Sequence, residues 1–288
     1  GSVGLEAKYD DTLTGTAGYT VSARNAAGTA LLYPYEQYYD AENGHNLVLT
    51  LNTNVQLSLE NGLESMLKKY GAQNGGTGIV MDVNSGAIIA MASYPNYDLN
   101  EPGVLYDDTL KSKLETTLAK IDADRSNYES EEAYAEARSA AINNAVQTQW
   151  RNKCIDSTYE PGSTFKPITL AAALEEGKVT KNSTFYCSGY TTVQGWNSRI
   201  WCSNHSGHGQ QTLIEAVGHS CNPAFIKMAL SIGTETYYKY LKSFGLMDKT
   251  GIDMIGEVKG IFVDEDYFNS QVVSLASYSF GQTFNVTP

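Results

Sequence analysis

The chain has 288 residues, 42% hydrophobic and 18% charged, with 32 acidic side chains against 20 basic ones and a formal net charge of −12. That length and balance fit a packed protein with one large core or two ordinary domains and exclude a disordered one. The acidity repels phosphate backbones, which argues against nucleic acid as a partner, and no polybasic patch marks a membrane surface.

No apolar run approaches the roughly 18 residues that span a bilayer. No signal peptide is recognisable, and Gly1-Ser2 reads as an added scar rather than a natural start. In chain order, residues 1–45 are rich in Gly, Tyr and Thr without a helical period, and read as short strands and turns ending a preceding segment. Leu47, Leu49 and Leu51 alternate with Val48, Thr50 and Asn52, as in a short strand, and Asn54 is placed to cap a helix. Val55, Leu59, Leu63, Met66, Leu67 and Tyr70 then give that helix one apolar face. Gly71–Gly78 reads as a loop. Ile79–Val83 and Ala87–Ala92 flank Asn84-Ser85-Gly86 as a β-hairpin.

Residues 107–150 read as a surface insertion. Leu110, Leu114, Leu118 and Ile121 keep a helical spacing, and Asp122–Arg138 are densely charged. After Gly162 a helix is expected through Phe165, Ile168, Ala172 and Leu174, with Gly177 as its stop. Leu213–Val217, Ala224–Ile232 and Thr234–Phe244 read as three more helices. A hairpin followed by a block of helices predicts an α+β layered fold.

The strongest chemical signal is Ser163-Thr164-Phe165-Lys166 within Tyr159–Pro167. Pro161-Gly162 makes a turn, and Pro167 is tolerated in a first helical turn, where its missing N–H has no partner to lose. Ser163 and Lys166, three apart, share one helix face. A hydroxyl becomes a nucleophile when a base takes its proton, and a lysine is that base only when neutral. The helix dipole disfavours the ammonium by only about 0.3–1 kcal/mol, whereas burial shifts a lysine by several pKa units, so burial must dominate. Taken alone, the pattern also fits an N-terminal serine with an exposed lysine one turn on.

Ser220-Cys221-Asn222, followed by Pro223, lies between two expected helices. Its hydroxyl and amide can face the same way, the one relaying a proton and the other holding a carbonyl or the lysine. Asn222 before Pro223 is equally a good helix start. A Ser-x-x-Lys with a Ser-x-Asn is the combination used by penicillin-binding proteins and serine β-lactamases.

The wider sequence resembles the class B penicillin-binding proteins of clostridia and bacilli, of sporulation and division type. Gly4-Leu5-Glu6, Tyr9-Asp10, Leu47–Gln56, Gly78–Pro95, Trp150-Arg151-Asn152, Glu160–Lys166, Tyr186-Cys187-Ser188-Gly189, Gly207-His208-Gly209 and Ser220–Phe225 carry the resemblance. It implies the penicillin-binding-protein/serine β-lactamase-like fold, a helical cluster on an antiparallel sheet, lacking the C-terminal strands. Residues 1–45 would end a pedestal and 46–288 form the transpeptidase domain. It implies a peptidoglycan D,D-transpeptidase in which Ser163 is acylated, Lys166 is the base, Ser220 relays the proton and Asn222 holds the substrate amide. Stem peptides and β-lactams would be its ligands, and a membrane glycosyltransferase a partner. The full-length protein would be anchored by an N-terminal helix on the extracytoplasmic face of a bacterial membrane.

The family's third motif, Lys-Thr/Ser-Gly on a strand, is expected beyond Pro288, which would leave this chain weakly active with an unpaired hairpin edge. Lys249-Thr250-Gly251 has the right letters but sits among Gly and Asp, and reads as a loop without a catalytic part. No cofactor is implied.

Cys187, Cys202, His205 and His208 form C-x14-C-x2-H-x2-H, which fits no zinc class, so no metal is expected. A Cys187–Cys202 disulfide and free buried thiols remain the alternatives there, and Cys221 reads as a buried structural cysteine. Competing functions are a serine β-lactamase or β-lactam sensor, for which no deacylating glutamate is evident, and a non-catalytic transpeptidase-like module.

Overall fold

The structure is a computed structural model and describes residues 3–22, 36–72 and 74–288. Gly1, Ser2 and residues 23–35 of the expected entry segment lie outside the described residues, as does residue 73 of the expected glycine loop. The chain divides into two units, one of Gly1–Lys153 with Asp253–Gly256, the other of Cys154–Ile252 with Glu257–Pro288.

In the first unit, α1 (Gly4–Lys8) and α2 (Asp10–Leu13) lead to the antiparallel pair β1 (Tyr19–Ser22) and β2 (Glu36–Tyr39). The long helix α3 spans Thr53–Tyr70. Its cap is Asn52 and not Asn54: Asn52 is extended, and its side chain accepts from Asn54 N and Val55 N, satisfying two free first-turn donors. Asn52 N donates to Ile89 O, which holds that residue outside the helix. The expected strand over Leu47–Leu51 forms no ladder, and Val48 is 92% exposed. Alternation does not make a strand where no neighbour supplies a row of partners.

β3 (Gly76–Met81) and β4 (Ile88–Tyr94) form the expected hairpin. The Asp82 carboxylate holds its turn by accepting from Asn84 N, Ser85 N and Ser85 Oγ. β3 starts at Gly76 rather than Ile79. The glycines that read as loop are strand residues lying against α3, where a Cβ on Gly76 would stand 3.0 Å from Leu67 and one on Gly78 2.7 Å from Leu59. The hairpin is a two-stranded sheet with no third strand among the described residues. Gln56 occupies the other edge of β4, donating to Met91 O and accepting from Met91 N.

α4 (Asp108–Ala123) and α5 (Glu131–Gln149) start at the caps Asp107 and Ser130. They meet where Asp122 accepts from Tyr134 OH and pairs with Arg138. No described helix is long and apolar enough to cross a membrane.

The chain passes to the second unit through α6 (Lys153–Asp156). A 3-10 turn, Gly162–Phe165, runs into α7 (Lys166–Glu175). β5 (Thr184–Cys187) pairs with β8 (Gly209–Thr212), and β6 (Tyr190–Thr191) with β7 (Ile200–Trp201), both antiparallel. The helices α8 (Leu213–Gly218), α9 (Asn222–Ile232) and α10 (Thr234–Ser243) match the three expected. α11 (Glu265–Ser270) and α12 (Val272–Tyr278) complete the α+β architecture.

Most of the described apolar core is in this unit and centres on α9, whose Phe225, Ile226, Met228 and Ala229 are at most 1% exposed. Each large apolar side chain so buried contributes about 1.5–3 kcal/mol. That packing fixes the helix and, with it, Asn222 at its first residue.

Candidate active site

The Ser163 region is built on a glycine contact. Gly162 has φ +58 and donates N–H to Gly281 O at 2.8 Å. Gly281 itself has φ +81 and leaves no room for a Cβ against the Gly162 backbone. Glu160 accepts from Thr283 N, which ties the same two segments together again. The chain then turns as a 3-10 helix, in which side chains three apart eclipse. Ser163 and Lys166 are three apart, so the exposed hydroxyl stands over the buried amine, with Nζ 3.1 Å from Oγ.

Lys166 is 4% exposed and its Nζ lies within hydrogen-bond reach of four oxygens. Besides Ser163 Oγ these are Ser220 O at 2.7 Å, Ser220 Oγ at 2.8 Å and Asn222 Oδ1 at 2.8 Å. The structure thus brings together all four residues singled out as catalytic. Burial holds the Lys166 amine down at about 8, against an opposing pull from the thiols of Cys202 and Cys221. Burial is the dominant effect, as the magnitudes require. A lysine at about 8 keeps a substantial neutral fraction near neutral pH, which is what a general base needs.

Ser220 has φ +50, in the left-handed region, just after α8. That position after a helix usually belongs to glycine, and a residue with a Cβ there costs of order 1–3 kcal/mol. Two bonds hold it, Ser220 N to Val217 O and Cys221 N to Ala216 O. Its carbonyl and its hydroxyl both reach Lys166 as a result. Asn222 divides its amide, with Oδ1 on Lys166 and Nδ2 donating to Trp201 O at 3.0 Å. A cleft of about 540 Å³ opens beside it, lined by Trp196, Arg199, Trp201, Tyr267, Gln282 and Thr283 among others. Sequence reasoning missed this lining, because Trp201 and Thr283 are far apart in the chain and neither belongs to a motif.

Lys249-Thr250-Gly251 is a loop, as expected. Thr250 N, Thr250 Oγ1 and Gly251 N all donate to the Glu257 carboxylate. These bonds outweigh burial and keep the Glu257 pKa low.

The possible Cys187–Cys202 disulfide is not formed, and all four cysteines are free and buried. Backbone N–H groups of His208 and Gly189 engage the Cys187 sulfur, and Cys202 Sγ faces His208 Nδ1 at 3.7 Å rather than a partner sulfur. His205, grouped with them by spacing, tilts instead on the Trp201 ring. Cys221 is fully buried, and burial pushes its thiol up to about 12, which removes it as a nucleophile at neutral pH.

Residues 76–288 match the model of the penicillin-binding protein transpeptidase domain. Stage V sporulation protein D of Bacillus subtilis is 35% identical over 100% of this chain and 38% of its own length. The peptidoglycan D,D-transpeptidase MrdA of Escherichia coli is 27% identical over 90% of this chain and 35% of its own. The chain therefore spans under two-fifths of these curated relatives. Among solved structures, penicillin-binding protein 2X of Streptococcus thermophilus superposes with a TM-score of 0.71 at 22% identity, covering 98% of this chain and 35% of that one. Helicobacter pylori PBP2, solved in complex with MreC, gives 0.70 at 24% identity over 100% of this chain and 48% of that one, so the expected fold is the observed one. With the family's domain matched from β3 to Pro288, the chain belongs to the penicillin-binding protein transpeptidase family.

Proposed function

We propose that the Ser163 site carries out the acyl transfer of a peptidoglycan D,D-transpeptidase. The observation that carries this reading is the single buried amine, Lys166 Nζ, within 3.1 Å of Ser163 Oγ and 2.8 Å of Ser220 Oγ and Asn222 Oδ1. Neutral Lys166 takes the Ser163 proton as Oγ attacks the carbonyl of a D-Ala-D-Ala amide. The C–N bond breaks, Ser220 passes its proton to the leaving amine and takes one back from Lys166, 2.8 Å away, and D-Ala departs from a Ser163 ester. The amine of a second stem peptide then attacks that ester and restores the serine. Asn222, at the mouth of the cleft, holds the substrate amide. The Ser163 backbone N–H supplies one oxyanion donor.

β-Lactams acylate Ser163 by the same route and leave slowly. The longer protein works on the extracytoplasmic face of a bacterial membrane, held by an N-terminal anchor and alongside a membrane glycosyltransferase. Residues 1–45 end a pedestal, 46–288 belong to the transpeptidase domain, and the helices over 107–150 are an insertion in it. The relatives' names, a stage V sporulation protein and a peptidoglycan D,D-transpeptidase, support that reading. The test is mass spectrometry of a chain extended to its relatives' length and treated with benzylpenicillin. The adduct is expected on the peptide containing Ser163. An adduct on Ser220 or Cys221, or none at all, overturns the reading.

A further inference from the structure

We propose that Arg199 sets the donor specificity of the Ser163 site, as the receptor for a carboxylate on the acyl-donor side chain that runs past Asn222. This rests on the acyl-transfer reading above and narrows it to one class of donor, stem peptides in which the residue before D-Ala-D-Ala ends in a free carboxylate. The cleft beside Asn222 has an aromatic rim, with Trp196 50% exposed, Trp201 44% and Tyr267 53%. Among the described residues, Arg199 is the one charged side chain in its lining, although the chain as a whole carries 32 acidic groups against 20 basic ones.

The arginine is held in place before any ligand arrives. The β6–β7 ladder sets Tyr190 opposite Trp201, with their rings 5.4 Å apart. Arg199 stands just before β7 and lays its guanidinium over both rings, Cζ 4.1 Å from the Tyr190 centroid and 5.7 Å from that of Trp201. Ring faces attract a cation and limit where it goes. Stacking occupies the flat faces of the guanidinium and leaves its in-plane N–H groups free, in the fork that matches the two oxygens of a carboxylate. No carboxylate among the described residues pairs with that fork.

Trp201 ties this cation to the reacting end of the site. Its carbonyl accepts from Asn222 Nδ2 at 3.0 Å, and its ring carries Arg199. Asn222 also holds Lys166 Nζ at 2.8 Å, so the cation, the substrate-holding amide and the base form one connected set. With the donor amide on Asn222, the side chain next to that amide enters the cleft. Its apolar stem covers the Trp196 and Trp201 rings, and its end meets Arg199.

The carboxylate read here is not the C-terminal one of D-Ala-D-Ala. That group lies on the leaving side of the scissile bond and departs with D-Ala, whereas the side chain read by Arg199 stays on the acyl side. A forked, charge-assisted pair is stronger than a neutral hydrogen bond, but Arg199 is exposed and water screens part of it. The discrimination between a charged donor and a neutral one of the same shape is therefore roughly 10-fold. An arginine that only covers the two rings would give no discrimination by charge.

The test uses the chain extended to its relatives' length and two derivatives of benzylpenicillin, the α-carboxy compound and the α-carbamoyl compound. The two have nearly the same shape and share the ring carboxylate, so their ratio of second-order acylation constants isolates the side-chain charge. In Arg199→Met, which keeps an apolar stem on the rings, the carboxy-to-carbamoyl ratio should fall by roughly 10-fold, and in Arg199→Glu it should fall further. Should the variants fail to fold, the unaltered chain decides, because its ratio should drop as salt rises from about 0.05 to 1 M. A ratio unchanged in folded Arg199→Met, or a parent ratio insensitive to salt, overturns the proposal. Failure of benzylpenicillin itself to form a Ser163 adduct would overturn the acyl-transfer reading first, so the two failures are told apart.

Discussion

Ser163 and Lys166 are joined by a 3.1 Å bond from Nζ to Oγ, and that bond exists because the turn between them is 3-10. An α-helical turn would set the two side chains about 60° apart around the axis, whereas a 3-10 turn stacks them. If Lys166 is the base, then its charge alone is not enough. Lys166→Arg keeps the charge but cannot lose its proton at any working pH. Acylation of Ser163 by penicillin, followed by stopped flow, should fall by ~10²-fold or more in both Lys166→Arg and Lys166→Met. An arginine variant within a few-fold of the parent would reduce Lys166 to a positioning cation.

The same lysine sets a pH dependence. Burial places it at about 8, so its neutral fraction, and with it the acylation rate, should climb through that pH and level off above it. A rate that stays flat from about pH 6.5 to 9 contradicts this. The linked effect on stability has a definite sign. The folded value lies below the unfolded 10.5, so between about 8 and 10.5 the unfolded chain binds more protons. Stability relative to Lys166→Met should therefore rise with pH across that window and be lowest below it, as read by urea titration.

Lys249 tests the reading from the other direction. Its tripeptide is a loop whose Thr250 and Gly251 are committed to Glu257. Lys249→Ala should leave acylation within a few-fold, whereas a loss of ~10²-fold, equal to ~2.7 kcal/mol of transition-state stabilisation, would make it part of the machinery.

The four candidate residues, Ser163, Lys166, Ser220 and Asn222, were legible because they lie in short motifs, and each needs only a local turn to point correctly. Their meeting was legible only in outline, since it depends on α9 burying Phe225 and Ile226. Glycine misled in one place. Gly76 and Gly78 read as loop by composition, yet they are strand residues chosen for the close approach of Leu59 and Leu67. The strands β5 to β8 have two to four residues each, too few to show a period of two. The approach of Cys187 to His208 follows from the β5–β8 register, Cys187 against Gly209, which no spacing rule contains.

Beneath Lys166, one helical turn on, Thr169 Oγ1 meets Tyr237 OH at 2.6 Å and Ser279 O at 2.9 Å. All three residues are buried, and burial raises the Tyr237 phenol well above its ordinary range. Thr169→Val keeps the shape but strands two buried polar groups at once. Tyr237→Phe strands none, because Thr169 keeps its bond to Ser279. Each stranded group costs about 1–3 kcal/mol. Thr169→Val should therefore lower stability by roughly 2–4 kcal/mol, and Tyr237→Phe by clearly less. In Thr169→Val/Tyr237→Phe, removing the orphaned hydroxyl should recover part of the loss. Equal costs for the two single variants would show that the pair does not share one bond network.

The platform under Ser163 rests on a glycine contact. Gly281 has φ +81, and a Cβ there would collide with the Gly162 backbone, one residue before Ser163. Gly86, in the hairpin turn, has a similar φ of +74 but open space around it. Both positions carry the same conformational penalty for alanine, of order 1 kcal/mol. Only Gly281→Ala adds a backbone collision, which is relieved by moving the Pro161-Gly162 turn away from Phe280–Gln282. That movement swings Ser163 off Lys166, and misplacement of a reacting group by about 1 Å costs on the order of 10²-fold in rate. Gly86→Ala should thus lower stability by about 1 kcal/mol and leave penicillin acylation unchanged, while Gly281→Ala should lower stability further and slow acylation ~10²-fold. If both variants lose stability equally and acylate at the parent rate, the Gly162–Gly281 contact is not what sets the serine in place.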